Sequence, residues 1–297
     1  MEIRTLGESE LRVSAIGLGT WALGNDFFGH VDDEESIAAI RAGLDNGINL
    51  VDTAPAYGAG HSEEVVGKAI RGRRDDVVVA TKVGVHRTED DFIRNLKPES
   101  IRQEVEDSLR RLDVDVIDLY QIHWPDPNTP IEDSLEELDK ARQAGKFRYL
   151  GVSNFDKKLM DQVQERMPLV SLQPHFSLLQ RGIERNILPY CSENNIGVIG
   201  YGTLAGGILT GKFRDMPQFS EGDHRDHFYN YYREPLWTSI QHVLDVLREI
   251  ASQRGVPVAQ VAINWATQKE GVTAALVGAK RHDQAVSNAE DGTWSLT

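Results

Sequence analysis

The feature that most constrains the fold of this chain is an alternation of short apolar runs with amphipathic helical stretches, sustained from end to end. The apolar runs fall at residues 15–19, 48–52, 77–83, 116–123, 149–153, 169–173, 197–201 and 274–278. Runs this uniformly apolar suit strands covered on both faces, as in a parallel sheet. Helical patterns lie between and after them, at 33–46, 62–71, 98–112, 131–144, 157–166, 185–194, 238–253, 257–268 and 282–289. In the first, Ile37, Ile40 and Leu44 share a face and Gly47 supplies a stop. The second has Ser62 as its expected N-cap, with Val65, Val66 and Ala69 inward. The third opens on Pro98 and aligns Ile101, Val105 and Leu109. Eight strand–helix units predict an α/β protein, a parallel (β/α)8 TIM barrel, with an open doubly wound sheet as the runner-up. Residues 2–6 and 12–14, flanking Gly7-Glu-Ser-Glu, predict a small hairpin ahead of the first barrel strand. No linker-like stretch or charge block divides the 297 residues, which read as one domain, 1–297.

Polar groups gather where the apolar runs end. Asp52 closes the second run, and Tyr57 follows in the loop Thr53-Ala-Pro-Ala-Tyr57-Gly. The third run presents Lys82, a residue costly to bury unless paired. The fourth ends Gln-Ile-His123-Trp124. In a barrel such strand ends share one face, the face that carries active sites. Together these side chains suit proton transfer to a carbonyl oxygen. A tyrosine near its ordinary pKa of ~10 is a poor acid at neutral pH. A lysine ammonium beside it stabilises the phenolate, an aspartate keeps that lysine charged, and a histidine can donate to the same oxygen.

With these residues in view, the chain resembles the aldo-keto reductases, the NAD(P)H-dependent barrel family. The matching stretches are Gly17-Leu-Gly-Thr-Trp21, Asp52-Thr-Ala-Pro-Ala-Tyr57-Gly, Thr81-Lys82, residues 119–124, Gly151-Val-Ser-Asn154, Gln173, residues 201–206 and residues 278–288. Each is weak alone, but their order and spacing are specific, and they cover nearly the whole chain. The resemblance implies that the N-terminal hairpin closes the bottom of the barrel. It implies Asp52, Tyr57, Lys82 and His123 as the catalytic set, with Tyr57 as general acid in reduction and general base in oxidation. It assigns the nicotinamide amide to Ser153, Asn154 and Gln173, and stacking on the nicotinamide ring to Tyr201. The loop Gly202, Thr203, Leu204 and Gly206 would meet the phosphates through exposed backbone N–H groups.

The resemblance also puts the adenosine 2′-phosphate near Gly278, Lys280 and Arg281, with Gln284 and Asn288 on the adenine side. Two adjacent cations in an acidic chain favour NADP(H) over NAD(H). Gly17-Leu-Gly-Thr-Trp-Ala22 matches a GxGxxA dinucleotide fingerprint, but no helix follows it, so a Rossmann reading fails. Gly19, Thr20 and Trp21 are instead expected to line the ligand site. The pocket mouth should include Trp21, Phe27, Phe28, Tyr57 and Trp124. The long stretch 208–237, with Phe228-Tyr-Asn-Tyr-Tyr232, reads as a lid or binding loop. Overall similarity is to the bacterial branch acting on aldoses, inositols and small aldehydes. That implies carbonyl reduction first, with sugar or polyol oxidation second. The alternative is a nucleotide-sensing regulatory subunit of the channel β-subunit type, which shares fold and cofactor site.

Composition narrows the partners. The formal net charge of −14 and the lack of a basic stripe argue against nucleic acid and anionic membrane surfaces. The lone Cys191 excludes an intrachain disulfide and suits a reducing compartment. No long apolar run or secretory leader pattern occurs, so a cytoplasmic protein is expected. No metal site is expected, since His224, Asp226 and His227 sit in a polar loop without further ligands at metal spacing.

Overall fold

Side chains two apart on a strand share a face, and this alternation places the polar strand ends inside a closed barrel. The computed structural model describes the chain except Asp26, Glu89, Asp90, Asp291, Thr293 and Thr297. The hairpin of β1 (Ile3–Thr5) and β2 (Arg12–Ser14) comes first, in antiparallel register. The barrel strands are β3 (Ile16–Gly19), β4 (Leu50–Asp52), β5 (Val78–Val83), β8 (Ile117–Ile122), β9 (Phe147–Ser153), β10 (Leu169–Gln173), β11 (Gly197–Gly200) and β12 (Val272–Gly278). Each pairs in parallel with the next, and β12 pairs with β3 through Ala275↔Ile16 to Gly278↔Gly19, closing the ring. This is the expected (β/α)8 barrel; the open-sheet alternative falls with that last pairing.

Inside the barrel, Leu6, Leu11 and Val13 of the hairpin pack against Leu50, Ala80, Leu119, Val170, Ile199, Ala274 and Leu276. The hairpin therefore plugs one end with an apolar floor. Two residues on from Leu50, Ala80 and Leu119 stand Asp52, Lys82 and Gln121, on the same inner side and one step nearer the C-terminal rim. A second, larger core fills the space between the strands and the surrounding helices.

The helices follow the expected patterns. Helix α1 (Asp33–Asp45) is capped by Asp32, whose carboxylate accepts from the Glu34 and Glu35 amides. Helix α3 (Pro98–Leu112) has Pro98 at its first turn and buries Ile101, Val105 and Leu112. Helices α4 (Ile131–Gln143), α5 (Lys157–Gln164) and α6 (Ile187–Glu193) complete the middle units. Helices α8 (Leu236–Arg254), α9 (Val258–Thr267) and α10 (His282–Glu290) flank the last strand.

Three local features differ from the sequence expectation. Helix α2 (His61–Ile70) begins one residue early, entered through Gly60 at φ 97°, and Ser62 does not cap it. The Ser62 hydroxyl is buried and instead ties Thr20 (Oγ1 at 2.7 Å) to Thr53 (Oγ1 at 3.0 Å), joining two loops of the rim. A second hairpin, β6 (Val85–Arg87) with β7 (Phe92–Arg94), follows β5 and was not read from the sequence. The aromatic run 228–232 spans the one-turn helix α7 (Arg225–Phe228) and the turn after it. Tyr229 and Tyr232 are buried in a separate core with Ile208, Leu209, Trp237 and Leu244, while Phe228 is 57% exposed. Within that run, Tyr229 and Tyr232 are an internal anchor.

Candidate active site

Lys82 stands one residue from the end of β5 with its side chain only 1% exposed, and every proton of its ammonium is used. One goes to Asp52 Oδ2 at 2.6 Å, one to the Thr53 carbonyl at 2.9 Å and one to the Tyr57 hydroxyl oxygen at 3.2 Å. Burial by itself would pull the Lys82 pKa down, but Asp52 and the Tyr57 oxygen reverse this and raise it. The site thus holds a permanent ammonium. Asp52 closes β4 and uses its other oxygen, Oδ1, to accept from the side-chain amides of Gln121 at 3.0 Å and Gln173 at 2.8 Å. Its charge is balanced and both its oxygens are hydrogen-bonded, the condition under which an ion pair can be buried.

Tyr57 leaves the rim on a short 3-10 turn, Tyr57–Gly60. Its ring lies edge-on to His123 at 5.9 Å and stacks near Trp21 at 6.1 Å. His123 follows β8. Burial first, and the Lys82 charge second, hold its pKa well below the usual histidine value, so the imidazole is neutral. Its Nδ1 is buried without a protein partner. A neutral imidazole retains one N–H and can donate to an oxygen placed beside Tyr57.

Trp21, Phe27, Phe28 and Phe228 form an aromatic wall next to these groups. Trp21 stacks on Phe27 at 4.7 Å and meets Phe28 at 5.0 Å and Phe228 at 5.3 Å, both edge-on. Trp124, expected at the same mouth, sets its ring under the Arg94 guanidinium of the second hairpin at 4.7 Å. Phe228 belongs to the segment expected to cover the pocket, though nothing local in the sequence ties it to Trp21.

The residues assigned to a cofactor by resemblance fall into two groups. In the first, the Ser153 hydroxyl donates to the Gln173 carbonyl at 2.8 Å. Asn154, at φ 61°, donates to the His123 carbonyl at 3.1 Å and to Ser153 Oγ at 3.0 Å, and accepts from the Tyr201 hydroxyl at 3.0 Å. His175 stacks on one face of Tyr201 at 5.0 Å and closes that face to any other ring. His175 Nε2 and Thr203 Oγ1 are both buried without a protein partner. Gly202, Gly206 and Gly207 have φ values of 73°, 67° and 95°, which side chains rarely adopt, and turn the backbone sharply after β11.

The second group surrounds the start of α10. Gln284 Oε1 accepts from the Lys280 amide at 2.9 Å, and Asn288 donates to the Gly278 carbonyl at 3.3 Å. Both amides brace this turn. Lys280 Nζ donates to the Phe28 carbonyl, and Arg281 pairs with Asp283 at 3.0 Å. Sequence reading missed two further cations here, Lys212 and Arg225. Burial, then the Arg225 charge, lowers the pKa of both Lys212 and Lys280. The nearby acid is Asp223, paired with Arg225 at 2.6 Å. Two half-buried lysines whose charge is disfavoured beside Arg225 are poised for an anion. Around it, Phe28 bridges Asp223, and the His224 amide donates to the Phe27 carbonyl at 2.9 Å. No group of three or more His, Cys, Asp or Glu among the described residues could hold a metal.

Comparison with known proteins identifies the family. Residues 15–296 match the Aldo/keto reductase family. The aldo-keto reductase YhdN of Bacillus subtilis is 41% identical, with 100% of this chain and 90% of that protein covered. The NADH-specific methylglyoxal reductase of Escherichia coli is 33% identical, with 95% and 91% covered. Among solved structures, the glycerol dehydrogenase AKR11B4 of Gluconobacter oxydans superposes with a TM-score of 0.90 at 42% identity, over 99% of this chain and 91% of that one. An aldo/keto reductase of Klebsiella pneumoniae in complex with NADP and acetate has a TM-score of 0.75 at 32% identity, over 98% and 90%. The chain belongs to the aldo/keto reductase family and is an oxidoreductase built on a (β/α)8 barrel.

Proposed function

We propose that the whole chain works as one cytoplasmic unit that interconverts small carbonyl compounds and alcohols with NADP(H), using Tyr57 as the proton donor and acceptor. The observation that carries this reading is the arrangement of Lys82. Its protons are all committed, to Asp52, the Thr53 carbonyl and the Tyr57 oxygen. A phenol oxygen that accepts from an ammonium keeps its own proton for a neighbour, and the phenolate left behind is stabilised by that ammonium. A bound nicotinamide supplies or accepts the hydride. In reduction the Tyr57 proton goes to the carbonyl oxygen, whose carbon has gained the hydride, and the alcohol leaves. In oxidation the phenolate takes the alcohol proton back. The neutral His123 donates to the same oxygen and orients it.

The cofactor reading is supported by the orphaned Thr203 Oγ1, by the glycine turns after β11 and by the cation cluster. Ser153, Asn154 and Gln173 would hold the nicotinamide amide, and the open face of Tyr201 its ring. Lys280 and Arg281, with Lys212 and Arg225 close by, would meet the phosphates. Family membership does not choose between the two nicotinamide cofactors, since one relative is named as NADH-specific. The half-buried cations are what favour NADP(H).

For the substrate, an aromatic wall beside one acid–base group suits aldehydes and the apolar faces of polyols. The relatives named for methylglyoxal and glycerol support small substrates in either direction. We favour carbonyl reduction, with sugar or polyol oxidation second. The test is Tyr57→Phe, assayed with a panel of aldehydes, ketones, sugars and polyols. It should lower kcat by about 10²–10⁴-fold with NADPH affinity unchanged. Near-wild-type turnover would overturn the assignment. NADPH binding by the wild-type protein without turnover of any panel member would point instead to a nucleotide-sensing regulatory subunit.

A further inference from the structure

We infer that Gln121 is a positioning residue, locking the Gln173 side chain to the Asp52–Lys82 pair so that cofactor grip and proton chemistry share one hydrogen-bonded unit. The inference rests on the proposed role of Gln173 in holding the nicotinamide amide. Gln121 lies wholly buried on β8, in register with Lys82 on β5 and Gly151 on β9. A Cβ at Gly151 would come within 3.1 Å of Gln121 Cγ, so the glycine keeps the lane open for this side chain.

The orientation of both amides follows from Asp52. Its carboxylate only accepts, so Gln121 and Gln173 must each turn an NH2 group towards it. Gln121 Nε2 reaches Asp52 Oδ1 at 3.0 Å and Gln173 Nε2 reaches the same oxygen at 2.8 Å. The second proton of Gln173 Nε2 goes to Gln121 Oε1 at 3.0 Å. Gln173 has then used both donors, and among the described residues its Oε1 takes no donor. Only a carbonyl remains on offer, the group that would accept an N–H from a carboxamide. Without Gln121, Gln173 would keep one buried N–H unpaired and lose the partner that holds its tip beside Asp52. The position needs a donor and an acceptor at one side-chain tip. Leucine and methionine supply neither, and an ionised glutamate would set a second negative charge against Asp52. A protonated glutamate supplies both.

NADPH affinity is best read by quenching of protein fluorescence, which does not depend on turnover, in Gln121→Met, Gln121→Glu, Gln173→Leu and the Gln121→Met/Gln173→Leu double variant. Gln121→Met should weaken NADPH by about 10-fold, the worth of one buried hydrogen bond. The double variant should bind no worse than Gln173→Leu alone, because both changes break one unit. Gln121→Glu should match wild type at low pH and lose affinity and kcat together as its carboxyl ionises, a new alkaline limb. Gln121→Met binding NADPH like wild type while Gln173→Leu is weakened would overturn the inference and spare the Gln173 reading. Additive losses in the double variant would also overturn it. Wild-type affinity in Gln173→Leu would remove the reading on which it rests, and the inference with it. Should Gln121→Met fail to fold, Gln121→Glu decides: affinity and kcat following the wild-type pH profile overturn the proposal.

Discussion

Lys82 Nζ lies 2.6 Å from Asp52 Oδ2, and neither side chain is more than 3% exposed. Replacing the lysine strands a carboxylate inside the barrel. Lys82→Met should therefore destabilise the fold by about 3–5 kcal/mol, the usual consequence of removing one partner of a buried pair. It should also abolish turnover. Denaturant unfolding and kcat measured on the same preparation check this, and an unaltered unfolding midpoint would mean that Asp52 is relieved some other way.

Lys280→Ala with Arg281→Ala should weaken NADPH at least about 10-fold more than NADH, since only the former carries a 2′-phosphate. Lys280 spends one of its three donors on the Phe28 carbonyl and keeps two for an anion. Titration of both cofactors into the double variant gives the comparison. Equal losses would show that the pair does not read the phosphate.

Phe228 is the aromatic residue of its run that faces Trp21 and Phe27, at 5.3 and 5.2 Å, while its neighbours Tyr229 and Tyr232 anchor a core. Phe228→Ala should thus raise the KM for carbonyl substrates by about 2–10-fold, the worth of an aromatic pair, and leave the melting temperature nearly unchanged. Deleting the whole run would confound the two effects. Identical kinetics across a substrate panel would place Phe228 outside the site.

His86 gives a pH dependence of stability. Its hydrogen bond to Glu104 raises its pKa above the ordinary value of 6.5, against the opposing effect of burial. A base with a raised folded pKa contributes stability that is complete below the unfolded value and fades as pH climbs through the folded one. The gap in melting temperature between wild type and His86→Gln should accordingly be widest below pH 6.5 and shrink above it. With the His86 side chain 40% exposed, solvent keeps the effect small. A gap that widens with pH would refute the sign.

Much of the architecture is legible in the sequence because parallel strands buried on both faces read as apolar runs, and the helices between them carry one apolar face. Asp52, Lys82 and His123 stand out for the same reason: each breaks an apolar run at its end. Gln121 sits in the same motif as His123, yet its partners cannot be read there. It meets Asp52 from 69 positions away and Gln173 from 52, through the radius of the barrel. Lys212 and Arg225 are hidden differently, in irregular segments with no period to follow. Ser62 looks like a cap by its neighbours but is claimed by Thr20 and Thr53, a contest that local propensity does not register.

The pairing of β12 with β3 carries a consequence for how the chain is made. Ile16 must wait for Ala275, so throughout synthesis the first barrel strand has an unsatisfied edge and the barrel interior has an open seam. Domains generally fold as units, and pairing across so long a separation is slow. Until residues 272–278 leave the ribosome, Lys82 and Asp52 have no sealed interior in which to pair, and the exposed edge of β3 is a template for other strands. A nascent chain halted before residue 272 should therefore be inactive and a client of chaperones, and release of β12 together with α10 should convert it.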